Sequence, residues 1–206
     1  ADTAHGARSG RGGSGRSYFL KGLLEQAAPP TATCLGLDYS GDFPGYRPPE
    51  GIPFRRLDVS HPDFRFNPLA HGDNGSPRVA AQRLLTAIHN VSRIGARASL
   101  SLQTAALEYL KAAAHPSLRG LADFARQKER PNAGLAAAQE PLDLLAALVR
   151  CGEEPISLDL TNPGIPVLRF DQILNTRIRS LLVEMFLGVV TAQGIYHPDW
   201  ARSALL

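Results

Sequence analysis

The sequence predicts an α/β fold, a parallel sheet covered by helices and carrying an α-helical insertion. Three observations predict it. Short apolar runs alternate with segments of helical periodicity, which is how a parallel sheet with helical connections is written. A block of consecutive helical patterns interrupts that alternation from residue 76 to residue 152. A glycine-rich loop, Gly10-Arg11-Gly12-Gly13-Ser14-Gly15-Arg16-Ser17, stands directly before the first helical segment.

Taken in order, Ser17–Gln26 reads as a helix with Phe19, Leu20, Leu23 and Leu24 on one face, ended by Pro29-Pro30. Thr33–Leu37 is a short apolar run bounded by turn residues, the pattern of a buried strand. Phe43–Pro53, rich in Pro and Gly, is a loop, and Phe54–Val59 reads as a strand exposed on one side. Ser76-Pro77 pairs a capping residue with proline at the first helical position, and Leu84, Ile88 and Val91 form the stripe that follows. Further helices fit Leu102–Ala114, Leu118–Glu129 capped by Ser117, and Leu142–Arg150 closed by Gly152. Strand patterns return at Ile156–Leu160 and Val167–Phe170, around an Asn162-Pro163-Gly164 turn. A long helix runs from Gln172 to about Gln193, with Gly194 as its stop. The division expected from this order is a first core part over 1–75, a helical insertion over 76–152 and a return to the core over 153–206.

Composition sets loose bounds. The 206 residues are 44% hydrophobic and 20% charged, enough to bury a core. A net charge of +3 tolerates phosphates or nucleic acid as partners without arguing for them. Cys34 and Cys151 lack metal-ligand spacing and read as buried thiols in a reducing compartment. No stretch reaches the about 18 apolar residues of a membrane span. The opening residues lack the apolar run of a secretory signal, and the absent initial methionine suggests a piece cut from a longer chain.

The chemistry sits in the first loop. The phosphate-loop pattern is glycine, four residues, glycine, then lysine and a hydroxyl residue. Gly10, Gly15 and Ser17 occupy their places, while Arg16 stands where lysine belongs. Glycines let the backbone curl so that successive N–H groups face phosphate oxygens, and the helix behind adds the positive end of its dipole. Gly10, Gly12, Gly13, Ser14, Gly15, Arg16, Ser17 and Tyr18 are therefore the candidate ATP-binding residues, with the Ser17 hydroxyl offered to Mg²⁺. Arginine keeps the charge of lysine but spreads it over a wide planar fork. Binding of phosphate is expected to survive and hydrolysis to suffer.

Asp38 is the second candidate. It ends an apolar run, where parallel sheets bind ligands, and could hold Mg²⁺ through water or orient an attacking water. The plainer reading is an aspartate that caps its own turn. Asp159 reads as an ordinary strand-edge residue, because no second acid follows it. The scattered histidines give no ligand spacing, and Trp200 reads as a packing anchor. No catalytic residue is assigned.

Several segments in order resemble the HerA–FtsK superfamily, most of all its conjugation and type IV secretion motor ATPases. Gly13–Lys21 is similar to that family's phosphate loop and first helix, and Gly36–Phe43 to its "D-P-x-G-E-Y" turn. Phe66-Asn67-Pro68-Leu69 resembles its "N-P-L" segment before a helical insertion, and Ile156–Phe170 with the Arg177–Leu182 helix resembles the stretch before its second acidic motif. The resemblance implies a RecA-like P-loop core, ATP with Mg²⁺, and assembly into a homo-oligomeric, hexameric ring. It also implies DNA or secretion-complex proteins at the membrane as partners, in the cytoplasm or peripherally on the inner membrane. Arg16 departs from the pattern, and the family's strand ending in Asp-Glu is expected beyond Leu206, so weak or absent turnover by this chain alone is expected. Two other readings compete: a non-catalytic assembly module of a secretion or translocation complex, and a small nucleotide kinase. The kinase would need an arginine-bearing lid, yet Arg119, Arg126 and Arg130 fall in the expected insertion.

Overall fold

The computed structural model describes residues 21–22, 33–43, 45–70, 76–129, 135–152, 162–196 and 204–205. It shows the α/β class that the sequence predicts. The chain folds as two compact units, one of residues 1–61, 158–172 and 197–206, the other of residues 62–157 and 173–196.

The first unit holds an all-parallel sheet. Its strands are β1 (Cys34–Asp38), β2 (Phe54–Asp58), β3 (Ile165–Arg169) and the short β4 (Ala204–Leu205), in the order β2-β3-β1-β4. β1 and β3 are buried along almost their whole length, which is why both read as continuous apolar runs. Among the described strands β2 lies at an edge, and its Arg55 and Arg56 are exposed as its half-polar pattern requires. Gly36 lets β1 lie close to β3, since a Cβ there would meet Val167 Cγ2 at 3.0 Å. Gly164, at φ 140°, turns the chain into β3, where a Cβ would fall 2.6 Å from the Pro53 carbonyl oxygen. Cys34, Phe43, Tyr46, Ile165 and Val167 form the core of this unit, and Tyr46 meets Phe43 and Phe54 edge-on at 5.6 and 5.3 Å. Of the helix expected over 17–26, Lys21 and Gly22 are described, and both are helical. The strand expected over Ile156–Leu160 lies outside the described residues, as does Trp200.

The second unit is helical. Its elements are α1 (Pro77–Ser92), α2 (Ala96–Ala112), α3 (Leu118–Glu129), α4 (Ala136–Leu148) and α5 (Thr176–Tyr196). Ser76 caps α1 by accepting the Val79 amide, and Pro77 takes its first position. Ser117 caps α3 through the Gly120 amide. Three helix starts differ from the sequence expectation, the first being α2, which begins at Ala96 rather than Leu102. α5 begins at Thr176 rather than Gln172, because the Asn175 side chain accepts the amides of Arg177 and Ile178 at 3.0 and 3.2 Å and fixes the first turn there. α4 begins at Ala136 and carries Pro141 inside it, so the proline at that position does not mark a boundary. α5 also continues past Gly194 to Tyr196. Small residues let the helices approach: Ala80, Ala81 and Ala87 of α1 are buried with Leu84 and Ile88. On α5, Ile178, Leu181, Leu182, Met185, Phe186, Val189 and Val190 make a broad buried face, and Phe186 packs on Phe66 at 5.6 Å.

Asn67 fastens the irregular entry to this unit. Its amide nitrogen donates to the carbonyls of Pro116 and Gly152 at 2.9 and 2.8 Å, and its oxygen accepts the Leu69 amide at 3.1 Å. One buried side chain thereby satisfies backbone groups from three segments. Asn67→Ala leaves those groups buried and unpaired, so urea unfolding should show a loss of about 1–3 kcal/mol. A loss indistinguishable from zero would show that water replaces the side chain.

Candidate functional site

The three longer strands end together. In the ladder Asp58 of β2, Arg169 of β3 and Asp38 of β1 stand side by side, so the C-terminal edge of the sheet presents a row of acid, base and acid. This is the edge at which open parallel α/β sheets take ligands.

Asp38 is 2% exposed and its carboxylate organises the turn that follows. Oδ1 accepts the amides of Gly41 and Asp42, both at 2.8 Å, and Oδ2 accepts that of Phe43 at 3.2 Å. Gly41 makes this winding possible, at φ 82°. Ser40 Oγ donates to Asp42 Oδ2 at 2.7 Å, which stiffens the outer limb of the turn. Asp58 does the same on a smaller scale, accepting the amide and hydroxyl of Ser60 at 2.8 and 2.6 Å.

Arg169 and Asp171 form the other half of the edge. The guanidinium meets the carboxylate as a fork, Nε to Oδ1 at 3.1 Å and the terminal nitrogen to Oδ2 at 2.8 Å. Hydrogen bonding to Asp171 raises the Arg169 pKa above its ordinary range, desolvation opposes it, and the charges of Asp171, Asp58 and Asp38 add to it. The same bond lowers the Asp171 pKa against desolvation, with Gln172 donating to it as well. Asp171 also lies against the turn, since a Cβ on Gly41 would come within 3.2 Å of its Oδ2.

Lys21 also reaches the turn. Its ammonium donates to the Asp42 carbonyl at 2.6 Å and lies 5.4 Å from the centre of the Phe43 ring.

Of the residues expected to bind ATP, Gly10, Gly12, Gly13, Ser14, Gly15, Arg16, Ser17 and Tyr18 lie outside the described residues, and with them the Ser17 half of the expected Mg²⁺ site. Asp38 is placed at the sheet edge, with both oxygens engaged by backbone amides. A carboxylate has about four lone-pair sites. What is left fits contact with a cation through water rather than a full place in its inner shell. Among the described residues no group of three or more His, Cys, Asp and Glu is arranged to hold a metal. Sequence reasoning missed Lys21, Asp58, Arg169 and Asp171. The available signal was that Asp38, Asp58 and Arg169 each close a strand pattern, which in a parallel sheet brings them to one edge.

No protein-family model matches the chain, and no curated protein matches it. Among solved structures it is similar to that of VirB4 of Thermoanaerobacter pseudethanolicus. The TM-score is 0.64 and the identity 15%, over 92% of this chain and 56% of that one. At that identity the likeness is one of fold, and it fits a P-loop α/β architecture. The chain spans little more than half the length of that neighbour. No helix among the described residues is long and apolar enough to cross a membrane.

Two outcomes follow from the geometry. Asp38→Asn replaces an acceptor oxygen by a donor facing amide hydrogens, and should cost about 1–3 kcal/mol in urea unfolding. An unchanged midpoint would mean that the turn is held by something else. The Asp171 carboxyl titrates lower in the folded chain than in the unfolded one, so its contribution is complete above the unfolded value and lost as pH falls through the folded value. Between about pH 7 and about pH 3 the urea midpoint of the wild-type chain should therefore fall more steeply than that of Asp171→Asn. Parallel curves would dismiss the pair as a source of acid sensitivity.

Proposed function

We propose that this chain is the ATP-binding part of a motor ATPase of DNA translocation or of conjugative or type IV secretion, working as a homo-oligomeric ring. The observation that carries the reading is the fold likeness to VirB4 across 92% of the chain. The sheet edge supports it, because Asp38, Asp58 and Arg169 converge where such a fold takes its ligand.

In this reading the amides of Gly10–Gly15 and the start of the following helix cradle the phosphates, and Arg16 adds positive charge beside them. The Ser17 hydroxyl would hold Mg²⁺, with Asp38 one water further out. Bound Mg²⁺–ATP supplies the phosphoryl group whose transfer to water drives a motor. The chain's own residues bind and orient it. Arg16 cannot reproduce the point charge of lysine between the β- and γ-phosphates, so the loop binds better than it turns over. DNA, or proteins of a secretion complex at the inner membrane, would be the partners of the assembled ring.

A non-catalytic assembly module is the second reading. The observation favouring it is that the Asp38 carboxylate is occupied by its own turn. Elution volume in size exclusion that is indifferent to nucleotide would support it.

Binding of a labelled ATP analogue with Mg²⁺ tests the main reading. Arg16→Lys should tighten it by about tenfold, equivalent to about 1.4 kcal/mol. If neither form binds at millimolar nucleotide, the phosphate-loop assignment fails.

A further inference from the structure

The helices of the second unit pack in a circuit, α1 on α2, α2 on α3, α3 on α4, α4 on α5 and α5 on α1. Between α1 and α2 runs a groove of about 440 Å³, lined by Leu85, Thr86 and His89 of the first and Ala96, Leu100 and Gln103 of the second. It is an open trough, which suits the face of a helix better than a small molecule. Leu100 stands 66% exposed on its wall. The charge around it is one-sided. From residue 76 to residue 107 the chain has four arginines and no acid, and the first acid after them, Glu108, is paired with Lys128 of α3. Arg93 and Arg97, where α1 turns into α2, are both exposed. From α5, Glu184 reaches this side and accepts from Asn90 at 3.3 Å.

α4 has the complementary character. Its inner face, Ala138, Pro141, Leu142 and Leu145, is buried, and α4 meets α1 and α2 across the bundle. Its outer face therefore points away from the groove. There Ala137, Glu140, Leu144 and Leu148 recur at helical spacing, with Leu148 42% exposed. The helix carries Glu140 and Asp143 and no basic residue. Asp143 is held by Arg126 at 2.7 Å, whereas the exposed Glu140 has Arg177 at 3.6 Å. Glu140 precedes Leu144 by four residues and Arg97 precedes Leu100 by three, so α4 laid parallel to α2 brings acid to base and leucine to leucine together.

We propose that the outer face of α4 in one copy of this chain seats in the α1–α2 groove of the next copy, Leu144 and Leu148 against Leu100 and Glu140 toward Arg93 and Arg97. The leucines supply most of the affinity, and the exposed charges set register and exclude wrong seatings. A face that fills a groove on the far side of its own bundle makes a head-to-tail contact. Such a contact closes into a ring or runs on as a filament, and does not stop at a symmetric dimer. It needs no nucleotide and does not rest on the motor reading, although it would serve as an interface of the proposed ring.

Sedimentation velocity of the full chain without nucleotide, from about 1 μM to about 1 mM, tests the contact. The average mass should rise with concentration beyond that of a dimer. Leu100→Ser and Leu148→Ser, both at exposed positions, should each weaken association about tenfold. Arg97→Glu and Glu140→Arg should each weaken it about threefold, and an equal mixture of these two variants should restore it, because every groove then meets an α4 of opposite charge. A variant that had merely lost its fold would not be rescued by mixing. A chain that stays monomeric at about 1 mM overturns the contact and leaves the groove to a segment of a different protein. If that monomer still binds the ATP analogue, the nucleotide reading stands without it. Assembly that stops at a dimer, that ignores both leucine changes, or whose charge variants are not restored by mixing overturns the contact as well.

Discussion

A carboxylate with almost no access to water governs the sheet edge. Asp38 closes a buried strand, and an ionised group there is tolerable only if hydrogen-bond donors replace the water it has lost. The chain supplies them by winding back, so that consecutive amides point at one side chain. That winding demands a left-handed residue, which Gly41 provides, and the glycine's missing side chain leaves room for Asp171. Asp171 then holds Arg169, the middle member of the row. Each position at the edge follows from satisfying the one before it.

The helical unit solves a similar problem with a neutral group. Its buried alanines and leucines pack without direction, and hydrophobic burial alone would allow the entering chain to slide. Asn67 removes that freedom by tying three stretches of backbone that no helix or strand would satisfy. Directional bonds from a few polar side chains thereby set the geometry in both units, while apolar burial supplies the driving force.

Much of this was legible in the sequence. Thr33–Leu37 and Val167–Phe170 are apolar without alternation because both faces of β1 and β3 are covered, and Ser76-Pro77 and Ser117 mark helix starts by a local rule that tertiary structure did not override. What escaped had a physical reason. Asn175 is itself a capping residue, but Leu174 before it falls at helical spacing with Ile178 and Leu181, although it is 90% exposed and lies outside the helix. Pro141 is conspicuous as a breaker, yet α4 carries it at its sixth position, one backbone bond short and with its ring buried in the packed face. The partnership of Arg169 with Asp171 looks like any charged dipeptide pattern until strand register places it beside Asp38. The glycine-rich loop was the plainest signal of all, and its geometry lies outside the described residues.

β2 is the outermost of the described strands on its side of the sheet. An edge strand offers a free row of amides and carbonyls to any other chain able to pair with it, and parallel sheets are slow to form and so stay open to that accident. Here the edge is short, and it carries two adjacent arginines, Arg55 and Arg56, the second anchored to the Tyr46 carbonyl and stacked at 5.2 Å on the Phe54 ring. A second copy docking edge to edge would set guanidinium against guanidinium. Like charges on β2 would oppose such pairing, and replacing them with threonines would keep the strand while weakening that opposition.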